Sequence, residues 1–448
     1  MIDDVLESKR RQDMTDEERV RLFQRKLYRK AKQEKEFRFY MLYDKLMIGY
    51  FLREAWKRVR ANGGAAGYDE MQISDVEKYG VGKYLSEIAE ELRTKTYKPE
   101  PVLRVFIPKA NGKLRPLGIP TVKDRIVQMC CKLVIEPIFE ADFEDCSYGF
   151  RPKRSAHDAV TAISANLKQG KIQVYDADLS GYFDTIPHDK LMILVEQRIT
   201  DKRILNLIRM WLKAPVYEDK QFKKNSKGTP QGGVISPLLA NIYLNLVDKA
   251  VNRKGGVFQK HKIEIVRYAD DFILMGYSMP HECLSKLHAI LNRMELTVNT
   301  DKTHLLNARQ ESFNFLGFTF EYAWSPYKKN QKYLRISPAD NSIINIRKKV
   351  GDYLRYNGRK NPYAVSKGLN LIMRGWLNYI NIPDVTHPKS AKFKLENYLW
   401  ERLRRYYKRK GQRKSKLYSR GAFEVLTNKY GLIDPLIYQV AASRESFR

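Results

Sequence analysis

Ile263-Glu264-Ile265-Val266-Arg267-Tyr268-Ala269-Asp270-Asp271-Phe272-Ile273-Leu274-Met275 sets two adjacent carboxylates between two apolar, β-prone runs. The pattern predicts a β-hairpin with Asp270 and Asp271 at its tip. Taken alone, the pair reads first as a solvated turn, because Asp is a common turn residue. The other reading is a hard-oxygen metal site. Carboxylates held rigidly by buried strands suit Mg²⁺, which takes one or two carboxylates together with substrate phosphates.

Composition narrows the choice. The 448 residues predict about two to three domains. There are 82 Lys+Arg against 51 Asp+Glu, a net charge of +31. So large an excess points to a polyanion, nucleic acid before anionic membrane. The hydrophobic fraction of 43% belongs to a folded protein rather than a basic tail. Cys130, Cys131, Cys146 and Cys283 show no Cys-x-x-Cys spacing, which speaks against zinc and fits a reducing cytosol. The charged N-terminus does not read as a signal peptide, and no apolar run approaches membrane-spanning length.

Upstream of the hairpin, Ile172-Gln173-Val174-Tyr175-Asp176-Ala177-Asp178 reads as a strand. Its even positions share one face, and Asp178 stands at its end. Asp176 stays ambiguous between a second ligand and a partner for a basic neighbour. Asp184 is expected to cap the helix entered at Pro187. Gly228-Thr229-Pro230-Gln231-Gly232-Gly233 is a breaker-rich turn before an apolar helix. Its glycines allow close backbone approach to a nucleotide, with Gln231 as a hydrogen-bonding side chain.

Further out, the stretch 101–128 predicts two short strands flanking Asn111-Gly112, with Lys109, Lys113 and Arg115 close around the turn. Such a hairpin suits a triphosphate, which Arg grips bidentately and Lys as a point charge. Tyr148-Gly149-Phe150-Arg151 mixes rings and charge as a template contact would, with Arg151 on phosphate. Lys302 is a further phosphate candidate, and Phe315 to Phe320 reads as one strand interrupted by Gly317. Thr15 to Glu18 has capping-box spacing and opens a stretch with nine basic residues from Arg19 to Arg38. After Pro338, three apolar stripes predict a helical bundle. The region Lys389–Arg420 holds thirteen Lys/Arg, among them Arg404 and Arg405, against two Glu. One basic face of this kind suits a nucleic-acid duplex.

The ordered set of motifs resembles the reverse transcriptases encoded by bacterial group II introns. The resemblance runs from about Leu27 to Tyr430. It rests on Tyr268-Ala-Asp-Asp, Asp178-Leu-Ser-Gly-Tyr-Phe-Asp, Gly228-Thr-Pro-Gln-Gly-Gly, Leu114-Arg-Pro-Leu-Gly-Ile-Pro, Tyr148-Gly-Phe-Arg-Pro, Phe315-Leu-Gly-Phe and Gly375-Trp-Leu-Asn-Tyr. It implies an α+β right-hand polymerase, with fingers and an antiparallel palm sheet carrying the Asp-Asp hairpin. A helical thumb or maturase bundle follows. Residues 1–80 are then a template-binding extension, 81–325 the fingers and palm, and 326–448 the thumb. The resemblance further implies Asp178, Asp270 and Asp271 as catalytic carboxylates holding two Mg²⁺ ions, with Mn²⁺ as a substitute. It places Lys109 and Arg115 on the triphosphate, Gln231 in the nucleotide pocket, and Phe183 under the sugar, where a ring excludes a 2′-hydroxyl.

The expected function is RNA-directed DNA synthesis in the bacterial cytosol, with intron RNA binding, splicing and retrohoming. The expected partners are an RNA template, a DNA primer or target and dNTPs, with no membrane. Two alternatives remain: a related enzyme recruited to phage defence or CRISPR spacer acquisition, and a non-catalytic splicing cofactor. Beyond His387 the sequence holds no further His and no Cys, so the paired Cys/His endonuclease carried by many members is not expected.

Overall fold

The computed structural model describes residues 14–108, 112, 114–357, 360–386, 388–409 and 421–439. Lys109, Asn111 and Lys113 of the expected fingers hairpin lie outside the described residues, as does 410–420 of the basic tail. Eleven strands are described: β1 Val102–Pro108, β2 Leu114–Ile119, β3 Gln173–Ala177, β4 Val216–Glu218, β5 Gln221–Lys223 and β6 Glu264–Tyr268, then β7 Asp271–Gly276, β8 His304–Asn307, β9 Phe313–Phe315, β10 Phe318–Trp324 and β11 Lys332–Pro338. They form three sheets, in the orders β2-β1-β4-β5, β6-β7-β3-β8 and β11-β10-β9. Among the described residues, no helix is long and apolar enough to cross a membrane.

Contacts divide the chain into two compact units. The first holds Met1–Arg154, Tyr175–Leu274 and Met279–His304; the second holds Ser155–Val174, Met275–Ser278 and Leu305–Arg448. The division passes through β3, β7 and β8.

In the first unit, the helix Asp16–Gln33 opens on the expected capping box. Glu18 N–H donates to Thr15 Oγ1 at 3.3 Å, and Thr15 N–H donates to Glu18 Oε2 at 2.8 Å. This helix is tied to the apolar helix Val122–Glu140, where Leu133 O accepts from Gln24 Nε2 at 2.8 Å and Ala141 O from Lys32 Nζ at 3.1 Å. Some of its basic residues therefore hold structure: Lys32 at that carbonyl, Arg21 on Glu17 and Lys30 on Glu34. The stretch 62–67 rests on the start of the same long helix, where Arg125 donates to Ala65 O. A side chain at Gly67 would sit 2.7 Å from the Thr121 backbone, which explains the glycine. β1 and β2 pair antiparallel from Leu103↔Ile119 to Pro108↔Leu114, closing the expected hairpin.

In the second unit, the expected single strand Phe315–Phe320 is two. Leu316 (φ 49°) and Gly317 (φ 76°) turn the chain between β9 and β10, so the glycine serves a tight reversal. The helices Asp340–Tyr356, Pro362–Ile380 and Pro388–Arg409 follow, with a fourth, Ala422–Tyr430. Val350, Leu369, Met373, Leu395, Leu399 and Leu403 are fully buried, as the three stripes predicted, and Leu426 of the fourth helix joins their core.

Candidate active site

Local pattern places the carboxylates. β3 is buried at Val174, Tyr175 and Ala177, and Asp178 emerges at its end, half-buried. β6 and β7 are buried from Ile265 to Arg267 and from Phe272 to Met275, and the hairpin reaches solvent again at its tip, at Asp271. β3 lies next to β7 in the sheet, which brings the two carboxylate-bearing ends into one array.

The array is crowded with negative charge. Burial lifts Asp270 above the ordinary carboxylate range; Asp178 adds to this, while Arg115 and Lys302 oppose it. Asp271 reaches solvent, but protein crowds its other sides. That desolvation, with the like charges of Asp270, Asp178 and Asp176, pushes it up to about 7. Burial raises Asp176 to about 6, opposed by His304 and reinforced by Asp178. Asp178 Oδ2 accepts from Lys302 Nζ at 2.9 Å and from Asn299 Nδ2 at 3.1 Å. Lys302, expected on phosphate, thus neutralises a carboxylate here.

Among the described residues, no three His, Cys, Asp or Glu side chains gather closely enough to cage an ion by themselves. Mg²⁺ sites in nucleotide enzymes commonly combine one or two carboxylates with water and substrate phosphates, so a closed protein cage is not required of them. The donor set fits such an ion: hard oxygens only, repelling one another, with an ammonium group already on one of them.

The hairpin tip is fastened from behind by Arg267, Asp248 and Asn241, which lie outside the motifs quoted above, and by the loop at Tyr148 and Gly149. Ala269 adopts a left-handed φ of 58°, unusual for a residue with a side chain. Its carbonyl accepts from Arg267 Nη1 at 2.9 Å. Arg267 is fully buried; its Nε donates to Asp248 Oδ1 at 2.8 Å, and its Nη1 also reaches Asn241 Oδ1 at 2.9 Å. Burial alone would depress Arg267, but the Asp248 carboxylate outweighs it and holds the guanidinium above its ordinary pKa. Asn241 Nδ2 donates in turn to Gly149 O at 2.8 Å, and Tyr148 N–H donates to Arg267 O at 2.8 Å. A side chain at Gly149 would collide with Ala269 N. The loop 146–150 and the Asp-Asp tip are therefore one fitted piece. A charge inside each of two apolar segments, Arg267 and Asp248, was the available sequence signal.

Around the glycine-rich turn, Gly118 N–H donates to Gln231 O at 2.6 Å, Thr229 N–H to Phe183 O at 2.7 Å and Gly228 N–H to Ile186 O at 2.8 Å. The turn thus joins β2 to the Phe183 segment. Gly228 has φ 84°, and a side chain there would lie 2.7 Å from the Asp184 backbone. Phe183 is buried edge-on against Tyr182, ring centroids 5.5 Å apart. Arg115 is exposed on β2, close enough to Asp270 to favour its charged form.

Two further expectations change. Arg151 does not face a template. It is buried, donates to Glu140 at 2.8 Å and to Ser147 O at 2.8 Å, and lies 5.2 Å from the Phe143 ring centroid. Phe150, Pro152 and Lys153 of that loop are exposed instead. Asp184 does not cap the next helix: the helix His188–Glu196 starts from Pro187 without a side-chain cap, and Asp184 is exposed 3.9 Å from Arg104. Lys109 lies outside the described residues. Arg404 and Arg405 are exposed on the helix Pro388–Arg409 of the second unit, with Arg405 paired to Glu401. Gly317 also belongs to that unit.

Residues 107–320 match the family described as "Reverse transcriptase (RNA-dependent DNA polymerase)", and residues 343–422 match "Group II intron, maturase-specific domain". Protein YkfC of Escherichia coli (strain K12) is 38% identical over 270 residues, which cover 52% of this chain and 70% of that protein. The "Uncharacterized 91 kDa protein in cob intron" of Schizosaccharomyces pombe is 30% identical over 401 residues, 72% of this chain and 48% of that protein. The "Group II intron-encoded protein LtrA" of Lactococcus lactis subsp. cremoris is 36% identical over 264 residues, 59% of this chain and 42% of that protein. The chain thus spans under half the length of the latter two relatives. With a reverse transcriptase palm, a maturase-specific helical region and these relatives, the chain belongs to the group II intron reverse transcriptase and maturase family.

Proposed function

We propose that this chain copies RNA into DNA at the cleft of Asp178, Asp270 and Asp271, and that it binds and helps splice an intron RNA. A reverse transcriptase domain acts on RNA and DNA and depends on divalent metal ions. The observation that carries the site is the array of mutually repelling carboxylates facing Arg115 and Lys302. Two bound Mg²⁺ would activate the primer 3′-hydroxyl and offset charge at the α-phosphate. Asp178, Asp270 and Asp271 would hold them. Arg115 orients the triphosphate, with Lys109 as its partner. The 3′-oxygen forms the new bond to the α-phosphorus as the α–β bridging bond breaks, and pyrophosphate leaves. In this reading residues 1–80 serve the template, 81–325 polymerise, and 326–448 grip nucleic acid with Gly317, Arg404 and Arg405. The site of action is the bacterial cytosol, on intron RNA and a DNA target.

The test is extension of a DNA primer on an RNA template with Mg²⁺. Wild-type protein should extend with dNTPs; no dNTP-dependent product would reject the reading. Phe183→Ala should relax sugar selection. Removing a rigid ring from beneath the ribose should raise rNTP use relative to dNTP by about 10- to 100-fold, the range a steric pocket commands. An unchanged ratio of kcat/KM values would remove Phe183 from this role.

Metal binding should depend on pH. Asp271 titrates near 7 in the metal-free protein, and a cation takes the ionised form. Mg²⁺ affinity by calorimetry should therefore be roughly tenfold weaker at pH 6 than at pH 8. A flat profile over that range would show that metal binding displaces no proton from Asp271 between pH 6 and 8.

A further inference from the structure

The β10–β11 hairpin of the second unit has a root and an outer half of different character. Its register sets Phe318, Phe320, Tyr322 and Trp324 on one face, opposite Pro338, Ile336, Leu334 and Lys332. Phe318 and Phe320 are fully buried. Beyond them the same face becomes a ladder of rings and cations. Arg309 lies over the Tyr322 ring at 5.7 Å, and Lys332 lies over the Trp324 ring at 5.2 Å. Lys332 Nζ also donates to Arg309 O at 2.9 Å, which joins the two rungs.

The tip is ordered, not loose. Ser325 N–H donates to Gln331 O at 2.7 Å, and Ser325 Oγ accepts from the N–H groups of Tyr327 at 3.2 Å and Lys328 at 3.1 Å. This turn leaves Tyr327 93% exposed and Trp324 65% exposed. Residues 322–334 contain Lys328, Lys329 and Lys332 and no Asp or Glu. The one carboxylate nearby in β10, Glu321, lies on the other face and is paired with Arg335.

We propose that this outer half, with Tyr322, Trp324 and Tyr327 as rings and Arg309, Lys328, Lys329 and Lys332 as cations, is a stacking site for unpaired nucleotides of a structured RNA. The inference rests on the reading that this chain binds RNA, and names a surface for it. The exposed rings of Trp324 and Tyr327 offer π-faces to bases, with the half-buried Tyr322, anchored through its hydroxyl to Leu167 O at 2.9 Å, at their root, and cations without opposing acid match phosphates. In duplex RNA the base faces are already stacked on each other, so rings of this kind gain only on splayed-out bases of loops and bulges. A lipid surface would want a broad apolar patch, and here Tyr322 and Trp324 each carry a cation over the ring.

The test uses the full chain with its cleft filled by a template–primer duplex. A labelled oligoribonucleotide containing 4-thiouridine is bound, cross-linked and mapped, and its affinity is compared with that of a blunt RNA duplex of equal length. The expected result is adducts on Trp324 or Tyr327. W324A/Y327A should weaken single-strand binding at least tenfold, with duplex binding and dNTP extension within twofold of wild type. K328S/K329S should weaken both probes, since both carry phosphates. Adducts confined elsewhere, single-strand affinity unchanged in W324A/Y327A, or an equal loss for duplex and single strand would each overturn the proposal. Failure of the wild type to extend a primer would instead count against the polymerase reading and leave these binding data interpretable.

Discussion

Asp270→Ala is expected to abolish RNA-templated primer extension, by about 10³-fold or more, while the protein stays folded and still binds RNA. The scale comes from chemistry in which positioning and charge stabilisation are nearly all that the enzyme supplies. The folded state should not suffer. The raised pKa of Asp270 means that its protonated form suits the fold, a contribution present below the ordinary carboxylate pKa and lost as pH rises through the folded value. At neutral pH the ionised group therefore opposes folding, and Ala removes that opposition. In the absence of metal the variant should be at least as stable as wild type. Added Mg²⁺ should stabilise the wild type and leave the variant nearly unmoved. Primer extension, thermal denaturation with and without Mg²⁺, and RNA binding together make the check. Extension retained within tenfold would show that Asp270 is no ligand. Intact RNA binding and splicing beside lost synthesis would show the two activities to be separable.

Arg267→Met should be the most damaging change outside the carboxylates. It strands the Asp248 carboxylate in the core and takes the donor from Asn241 Oδ1 and Ala269 O. Breaking one half of a buried pair costs about 3–5 kcal/mol. Chemical denaturation should show that loss, or the protein should fail to accumulate in soluble form. The double replacement Arg267→Met with Asp248→Leu should recover most of the stability, because a buried pair can be exchanged for apolar side chains of similar volume. It should not recover synthesis, since the Ala269 carbonyl still lacks its donor and the left-handed tip is no longer held. A single variant as stable as wild type would contradict the pairing. A double variant with full activity would show that the guanidinium serves the core alone.

Much of the candidate site was legible because its parts are local. Asp270 and Asp271 sit between two apolar, β-prone runs that read as the arms of a hairpin, and Asp178 ends a strand that announces itself in five residues. The capping box at Thr15 and the thumb stripes are equally short-range. Arg151 shows the limit. A guanidinium beside Tyr, Phe and Lys reads as a nucleic-acid contact, yet Glu140 and the carbonyls of Glu144 and Ser147 draw it inward. Asp184 fails for a related reason: a capping residue is judged by the residues just after it, but the chain turns before the next helix begins. Phe315 to Phe320 has strand composition throughout, and only the left-handed pair Leu316-Gly317 divides it.

The order of the motifs, the carboxylate hairpin and the family itself are written in residue types and spacings, because turns, strand faces and helix stripes depend on neighbours a few positions apart. Which charges stay free for chemistry is settled by folding. Arg267 became the buried fastening of the hairpin, Lys302 the partner of Asp178, and Arg151 a core residue. Burial and pairing join positions far apart in the chain, and those contacts exist only once the strands and helices are packed.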